Sequence, residues 1–364
     1  MSIQLTVAAA TFWLVAVAPC AAGDVSDAEA GVSTTDEVKA IALSSDGRLL
    51  TTGHVGASIQ FRLSRSLARD PIFELRDERS NAVCAIQFSA EGRWLLSEGT
   101  DGGVRLWDLV TRESVLTLGG GLDVPPHATL APDALCIAAV QRERESSGSR
   151  HFCGLFSSRD GRLISKLKQP VERDCIFQSL AYSHDGCLLA AAGTERVSRR
   201  WVVLVWNLHD HGIVHEFMFG ADETIFEKAE QPASLQFAPD GTLLAFATHD
   251  ARLCVWNTKD WRTEARLSVV GPVFCFAPDS KTIATVGRGA VSEVTLWDLK
   301  SGTVRKRIPV FPSRVTCLAL SPDGLTLYVG GVSRVAHGSS GGHVSVSDGG
   351  GEIERIALDK LGPR

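Results

Sequence analysis

A short turn of the form Ser/Pro-Asp-Gly recurs along this chain and limits its possible folds more than any other feature. It stands at Ser45-Asp46-Gly47, Ala90-Glu91-Gly92, Pro132-Asp133-Ala134, His184-Asp185-Gly186, Pro239-Asp240-Gly241, Pro278-Asp279-Ser280 and Pro322-Asp323-Gly324, at spacings of 45, 42, 52, 55, 39 and 44 residues. Self-similarity at such a period means one supersecondary unit repeated, each copy burying its apolar surface on the next. The copy over 82–118 is the best formed. Its runs at 82–88, 94–97, 104–107 and 114–118 are short and separated by Gly, Asp and Ser, which describes a four-stranded antiparallel meander. Val83, Cys84, Ala85 and Ile86 leave neither face of the first strand polar, so the sheet must be covered on both sides.

The third run ends on Trp107-Asp108, and the dipeptide returns as Trp206-Asn207, Trp256-Asn257 and Trp297-Asp298. An apolar strand, a Ser-Pro-Asp-Gly-like turn and a Trp-Asp closing the third strand together resemble the WD-repeat β-propeller family. The resemblance implies an all-β fold, a seven-bladed β-propeller with four antiparallel strands per blade. It also implies a buried hydrogen-bonded set in each blade, with a Ser ten residues and an Asp six residues before the Trp. Ser97, Asp101 and Trp107 sit at those offsets, while the family's His has no counterpart among 77–81. Phe61, Phe156 and Val346 stand in the Trp place in the first, third and seventh copies. Ser97, Asp101, Trp107, Asp108, Trp206, Trp256, Trp297 and Asp298 are accordingly read as structural blade residues. The propeller is expected over 38–360, starting on an innermost strand near Val38 and ending on an outer strand at 352–358. With no strand visible before Val38, the ring is expected to close by packing of first on last blade.

Residues 1–23 carry no charge and 5–18 are strongly apolar, which reads as a secretory signal segment, with a retained signal anchor as the alternative. Residues 24–37 read as an acidic linker. The expected site of action is extracytoplasmic, secreted or periplasmic, and cytoplasmic if the segment is no signal.

A formal charge of -5 and the lone pair Arg199-Arg200 give no basic stripe for nucleic acid. The nine cysteines include no Cys-x-x-Cys, and eight of them lie in or beside predicted strands as small core residues. Gly338-Ser339-Ser340-Gly341-Gly342 matches a hydrolase elbow in letters, but it sits in a Gly/Ser-rich hairpin with no helix after it. His54, His184 and His249 lie near turns and are read as capping or solvated. A catalytic propeller, lactonase-like or hydrolytic, needs acids or His on several innermost strands. The strands predicted there hold none, and Lys39, Gln87, Gln178 and Gln236 are their long polar residues. The expectation is a non-catalytic scaffold for protein partners, without cofactor or metal, the alternative being an enzyme with a loop-built site.

The extra residues concentrate on one rim, where second-to-third and fourth-to-first strand connections emerge. They fall at 141–150, 194–199, 220–232 and 332–343. Long connections on a rigid scaffold are where binding resides. Arg142, Arg144, Arg196 and Arg199 make a basic edge, and Ile225 and Phe226 an apolar pair in an acidic loop. These six are the candidate partner-binding residues, charge setting orientation and the aromatic anchoring.

Overall fold

The computed structural model describes residues 30–34, 36–119, 127–145, 148–170, 174–198, 200–219, 234–247, 252–268, 273–287, 292–310, 314–338 and 344–358. They form seven four-stranded antiparallel sheets, the blades of a seven-bladed β-propeller. Blade two, for instance, is Val83–Phe88, Trp94–Gly99, Gly103–Asp108 and Glu113–Gly119. The innermost strand of every blade packs against that of the next, and the first against the seventh.

The core is divided into seven slices, each between neighbouring blades. Ile59, Phe61 and Leu75 of blade one meet Val83, Leu95 and Trp107 of blade two in one of them. This division is why the strands are apolar on both faces, one for each neighbour. Trp107 faces blade one, Trp206 faces blade three and Trp256 faces blade four, so the signature Trp always packs on the preceding blade. Each marks a shift of register against its neighbouring strand in blades four, five and six as in blade two. Burying a side chain of this size contributes about 2–3 kcal/mol.

The indole N–H needs an acceptor, and the supply explains the pattern of signature residues. Trp107 Nε1 donates to Ser97 Oγ at 2.8 Å, and Trp297 Nε1 to Thr285 Oγ1 at 2.9 Å. Both hydroxyls come from the third residue after the start of the second strand. In blade four that position is Ala191, and Trp206 Nε1 donates instead to Lys168 O at 2.6 Å. Blade one corrects the expectation for Phe61: Arg62, opposite Leu50 as Trp107 is opposite Leu95, holds the Trp place. Its Nη1 donates to Thr52 Oγ1, the hydroxyl equivalent to Ser97, at 3.4 Å. In blade seven the place belongs to Ile356, opposite Leu327, and not to Val346. Phe156, opposite Ile137, is placed as expected.

Asp101 does not reach the Trp107–Ser97 pair. It accepts from Gly103 N at 3.1 Å and pairs with Arg105 at 2.6 Å, and Arg105 also pairs with buried Asp77 at 2.7 Å. A buried cation is thus held between two carboxylates. Asp108 accepts from Val110 N and Arg93 Nη2, both at 2.8 Å, and Asp298 accepts from Ser301 N at 2.9 Å, so each locks the turn after its strand. The Ser301 amide and the Arg305 guanidinium hold the Asp298 carboxyl down to about 2.

Closure of the ring differs from the sequence expectation. Blade seven consists of Arg314–Leu320, Thr326–Gly338, Val344–Ala357 and, as its outer strand, Ala30–Ser33. Ala30 pairs with Arg355 and Ser33 with Glu352, and beyond them Thr34 N donates to Gly351 O at 2.8 Å and Gly351 N to Asp36 O at 3.0 Å. The chain does not turn before 352, so 352–357 continues the third strand instead of forming the expected outer one, and its outer edge is open to another strand. Unpaired ladder groups favour such a partner, and the segment before Val38 supplies it. The expected signal at 1–23 lies outside the described residues.

Polar residues on the inner strands join blade to blade. Gln87 Oε1 accepts from Leu130 N at 2.9 Å while its Nε2 donates to Leu130 O at 3.1 Å; Ser179 Oγ accepts from Leu235 N at 3.1 Å, and Gln236 Oε1 from Phe276 N at 3.2 Å. Thr316 Oγ1 donates to Val38 O. Each satisfies a backbone group on the next blade's innermost edge, where no fifth strand is available to do so. Lys39 pairs with Glu37 at 2.8 Å.

Candidate functional site

The insert at 141–150 is not a loop. Cys136–Glu145 and Gly148–Ser157 continue as one hairpin, in register from Cys136 opposite Ser157 to Glu145 opposite Gly148. Residues 332–338 of the last insert behave the same way, with Arg334 opposite Asp348 and Gly338 opposite Val344. Alternating polar residues with no core to cover still satisfy their backbone by pairing, and two ribbons result. Arg199, Ile225 and Phe226 lie outside the described residues, as do His249 and Ser340. The backbone of Arg144 pairs with Ser149 in the first ribbon.

Where that ribbon leaves blade three, one face of it turns to blade four. Ala138 and Val140 on one strand and Cys153 and Leu155 on the other fill the slice between the two blades. Continuing that alternation outward puts Arg142 and His151, which are directly opposite, on the same face. Blade four contributes Asp174, immediately before its first strand, Cys175–Tyr182, and Arg196, just after its second, Leu188–Glu195. Arg196 N donates to Asp174 O at 2.9 Å and its Nη1 pairs with Asp174 Oδ2 at 3.2 Å. His151 N meets Asp174 Oδ1 at 3.5 Å, and Gln169 Nε2 donates to His151 O at 3.3 Å. Arg142 and Arg196, two of the candidate partner-binding residues, thus flank one inter-blade seam.

His151 is 6% exposed, yet neither Nδ1 nor Nε2 has a hydrogen-bond partner among the described residues. Asp174 Oδ1 lies 4.0 Å from Nδ1, outside hydrogen-bond range. Gln169 Oε1 is likewise buried and unpartnered. Burial holds the imidazole below its ordinary pKa; the Asp174 charge opposes this, and Arg142 and Arg196 add to it. The imidazole thus feels both the Asp174 carboxylate and the Arg142 and Arg196 guanidiniums. His151, Asp174 and Gln169 escaped the sequence reading because they are isolated letters far apart in the chain; only register and blade order join them.

His54 is a buried structural residue: its Nε2 meets Thr52 Oγ1 at 2.7 Å, and burial lowers its pKa to about 4. Among the described residues no group of three or more His, Cys, Asp or Glu could hold a metal ion, and the eight cysteines there are free thiols.

The family model described as "WD domain, G-beta repeat" matches residues 69–108 and 228–257, the first ending on the Asp108 that closes the third strand of blade two. Both stretches match WD repeats. Among curated relatives, "Protein FIZZY-RELATED 3" of Arabidopsis thaliana is 24% identical over 69% of this chain and 48% of its own length. "Target of rapamycin complex subunit LST8" of Mus musculus is 26% identical over 53% of this chain and 55% of its own. "Guanine nucleotide-binding protein subunit beta-like protein" of Encephalitozoon cuniculi is 20% identical over 69% and 76%. The chain spans about half the length of the first two.

Proposed function

We propose that this WD-repeat chain is a non-catalytic scaffold that holds a protein partner on the rim formed by the second-to-third strand connections, above blades three and four. The observation that carries the proposal is the hairpin Cys136–Glu145/Gly148–Ser157, which runs past the ring with Arg142 at its base beside Arg196 of the next blade. A rigid ring whose core is spent on blade-to-blade packing presents its variable connections without distortion, which suits recognition more than chemistry. Relatives named as a complex subunit and as a G-protein β-like subunit support assembly with other proteins. The apolar leader at 1–23 extends the proposal to work outside the cytoplasm; the N-terminal residue of the mature chain tests that part, with cleavage expected after Ala22 or Gly23.

Capture from native extract tests the rim. Arg142→Glu is expected to lose most of a partner that the wild-type chain retains. Leu135→Glu with Val110→Asp, two exposed side chains on turns of the opposite rim, is expected to keep it. The reverse result moves the interface to the other face.

A further inference from the structure

The rim opposite the inserts is made of short turns, and each turn there between first and second or third and fourth strands lies among the described residues. Beside that rim the outer strands of blades two to six each bulge one residue out of the ladder, next to the Trp place. The displaced residue is Val115 in blade two, Ile164 in blade three and Val214 in blade four, but Glu264 in blade five and Arg305 in blade six. A bulge re-aims the side chain it displaces, and charge is the usual cover for a strand at the edge of a sheet. Blades five and six follow that rule; in blades two to four the same place is aliphatic and 49%, 56% and 44% exposed. Leu163 adjoins Ile164, and Val110 and Leu135 stand on neighbouring turns, 77% and 67% exposed. These pieces are contiguous. The Gly161 turn of blade three lies against the outer strand of blade two, where a Cβ on Gly161 would meet Leu116 Cδ1 at 2.8 Å. Ser158 Oγ donates to Ala134 O at 2.6 Å, tying the Leu135 turn to that same turn, and Ser165 Oγ lies 2.9 Å from His211 Nδ1 on the corresponding turn of blade four. Aliphatic surface continuous over three blades marks a docking site, as scattered single residues do not.

Charge decides the occupant. The turns of blades two to four on this rim, 89–93, 108–113, 131–135, 157–162, 183–187 and 207–212, carry seven carboxylates against four guanidiniums. Those of the other four blades, 44–48, 63–72, 238–242, 257–262, 277–281, 298–303 and 321–325, carry seven acidic and seven basic residues, so the acidic excess coincides with the aliphatic surface. Three of the four guanidiniums are engaged within the fold: Arg93 pairs with Asp108 at 2.8 Å, Arg162 with Asp160 at 3.0 Å, and Arg112 lies 4.4 Å over the Phe73 ring of blade one. Asp133 and Asp210 are fixed in their turns by Leu135 N and Gly212 N, both at 2.9 Å. An aliphatic surface in an acidic field complements a basic one. We propose that blades two to four dock a basic, aliphatic-bearing segment of a second protein partner, with its aliphatic side chains over Val115, Leu135 and Ile164 and its Lys or Arg side chains against Glu113, Asp133 and Asp210. This goes beyond the scaffold reading above, because it uses the opposite rim and a partner of its own, and both rims of one ring can then be occupied together.

The test uses the full chain and three labelled peptides, composed of leucine and lysine, of leucine and glutamate, and of serine and lysine, with binding read by fluorescence anisotropy. The leucine–lysine peptide is expected to bind and the other two to bind about tenfold more weakly or worse. Leu135→Ser with Ile164→Ser is expected to weaken leucine–lysine binding about tenfold, a loss near 1.4 kcal/mol. Glu113→Gln with Asp133→Asn is expected to weaken it and to flatten its dependence on salt. Val304→Ser, at an exposed aliphatic position on the outer strand of blade six, and Arg142→Glu on the other rim are expected to leave it unchanged. Val115→Ser with Val214→Ser takes the place of the first serine pair if that pair lowers the melting temperature. Equal affinity for the leucine–glutamate peptide, or no loss in the Glu113→Gln, Asp133→Asn chain, overturns the basic occupant. Loss in Val304→Ser or Arg142→Glu as large as in the serine pairs overturns the placement, and binding unchanged in both serine pairs overturns the surface. A concentration-dependent dimer in sedimentation that Leu135→Ser with Ile164→Ser abolishes also overturns the proposal and gives the surface to a second copy of the chain. The two rims fail separately: capture of the first partner answers to Arg142→Glu, and peptide binding answers to the serine pairs.

Discussion

Replacing Glu98 by Gln should make the propeller more stable at neutral and alkaline pH and leave it unchanged in acid. Glu98 is the last but one residue of the second strand of blade two, and its Oε1 accepts from Ala128 N, the first residue of blade three's innermost strand, at 2.8 Å. Burial between the blades raises the carboxyl from 4.5 to about 8, and the one backbone bond offsets this only in part. The sign follows from proton binding. Between those two values the unfolded chain has ionised at this position while the folded chain keeps its proton, so stability falls as pH rises through that window and levels off above it. The full interval would cost about 5 kcal/mol at 1.36 kcal/mol per unit; Glu98 keeps some contact with solvent, which lowers the expected cost to about 2 kcal/mol. Glutamine has the same shape, retains the oxygen that accepts from Ala128 N and never ionises. Urea midpoints of both chains, measured from about pH 5 to about pH 8, cancel every other titrating group in the difference. The variant should match the wild type near pH 5 and exceed it by about 2 kcal/mol near pH 8. A difference independent of pH, or a Gln variant weaker at pH 8, would refute the reasoning, because the carboxyl would then be ionised in the fold.

Two more perturbations probe the ring. Trp107→Ala removes a side chain that packs blade two on blade one and strands the Ser97 hydroxyl, so a loss of about 3–5 kcal/mol is expected from thermal or urea unfolding; a nearly unchanged midpoint would remove Trp107 from the core. Gly351→Ala would bring a Cβ into the closing segment, 2.8 Å from Val38 N and closer still to Asp36 and Thr34. It should release Ala30–Ser33, cost about 1–3 kcal/mol and expose the edge of blade seven to proteolysis and aggregation; equal protease resistance in both chains would show that closure does not depend on that pairing.

The sequence by itself determined the fold. Seven Asp/Gly turns at a near-constant period, strands apolar on both faces and Trp at the end of the third strand are local signals, each set by backbone conformation or by burial within a few residues, and together they require a ring of four-stranded blades. Part of the Trp107 hydrogen bonding was legible too, because Ser97 and Trp107 are partners on adjacent strands of one hairpin. Only the tertiary structure decided the rest. Arg62 takes the Trp place in blade one because register, not residue type, defines that place and Thr52 offers the acceptor there. Four residues, Ala30–Ser33, are too few to show alternation, and what makes them a strand is the unpaired edge at Glu352–Arg355, more than three hundred residues away. The described residues of the inserts at 141–150 and 332–343 are ribbons because hairpin pairing satisfies a polar backbone that composition alone would assign to a loop. The seam that joins Arg142, His151, Gln169, Asp174 and Arg196 exists only once blade three is laid against blade four. Periodicity acts along the chain and can be read from it, whereas a site between blades depends on which side chains meet across a slice of core, and that is fixed only when the ring closes.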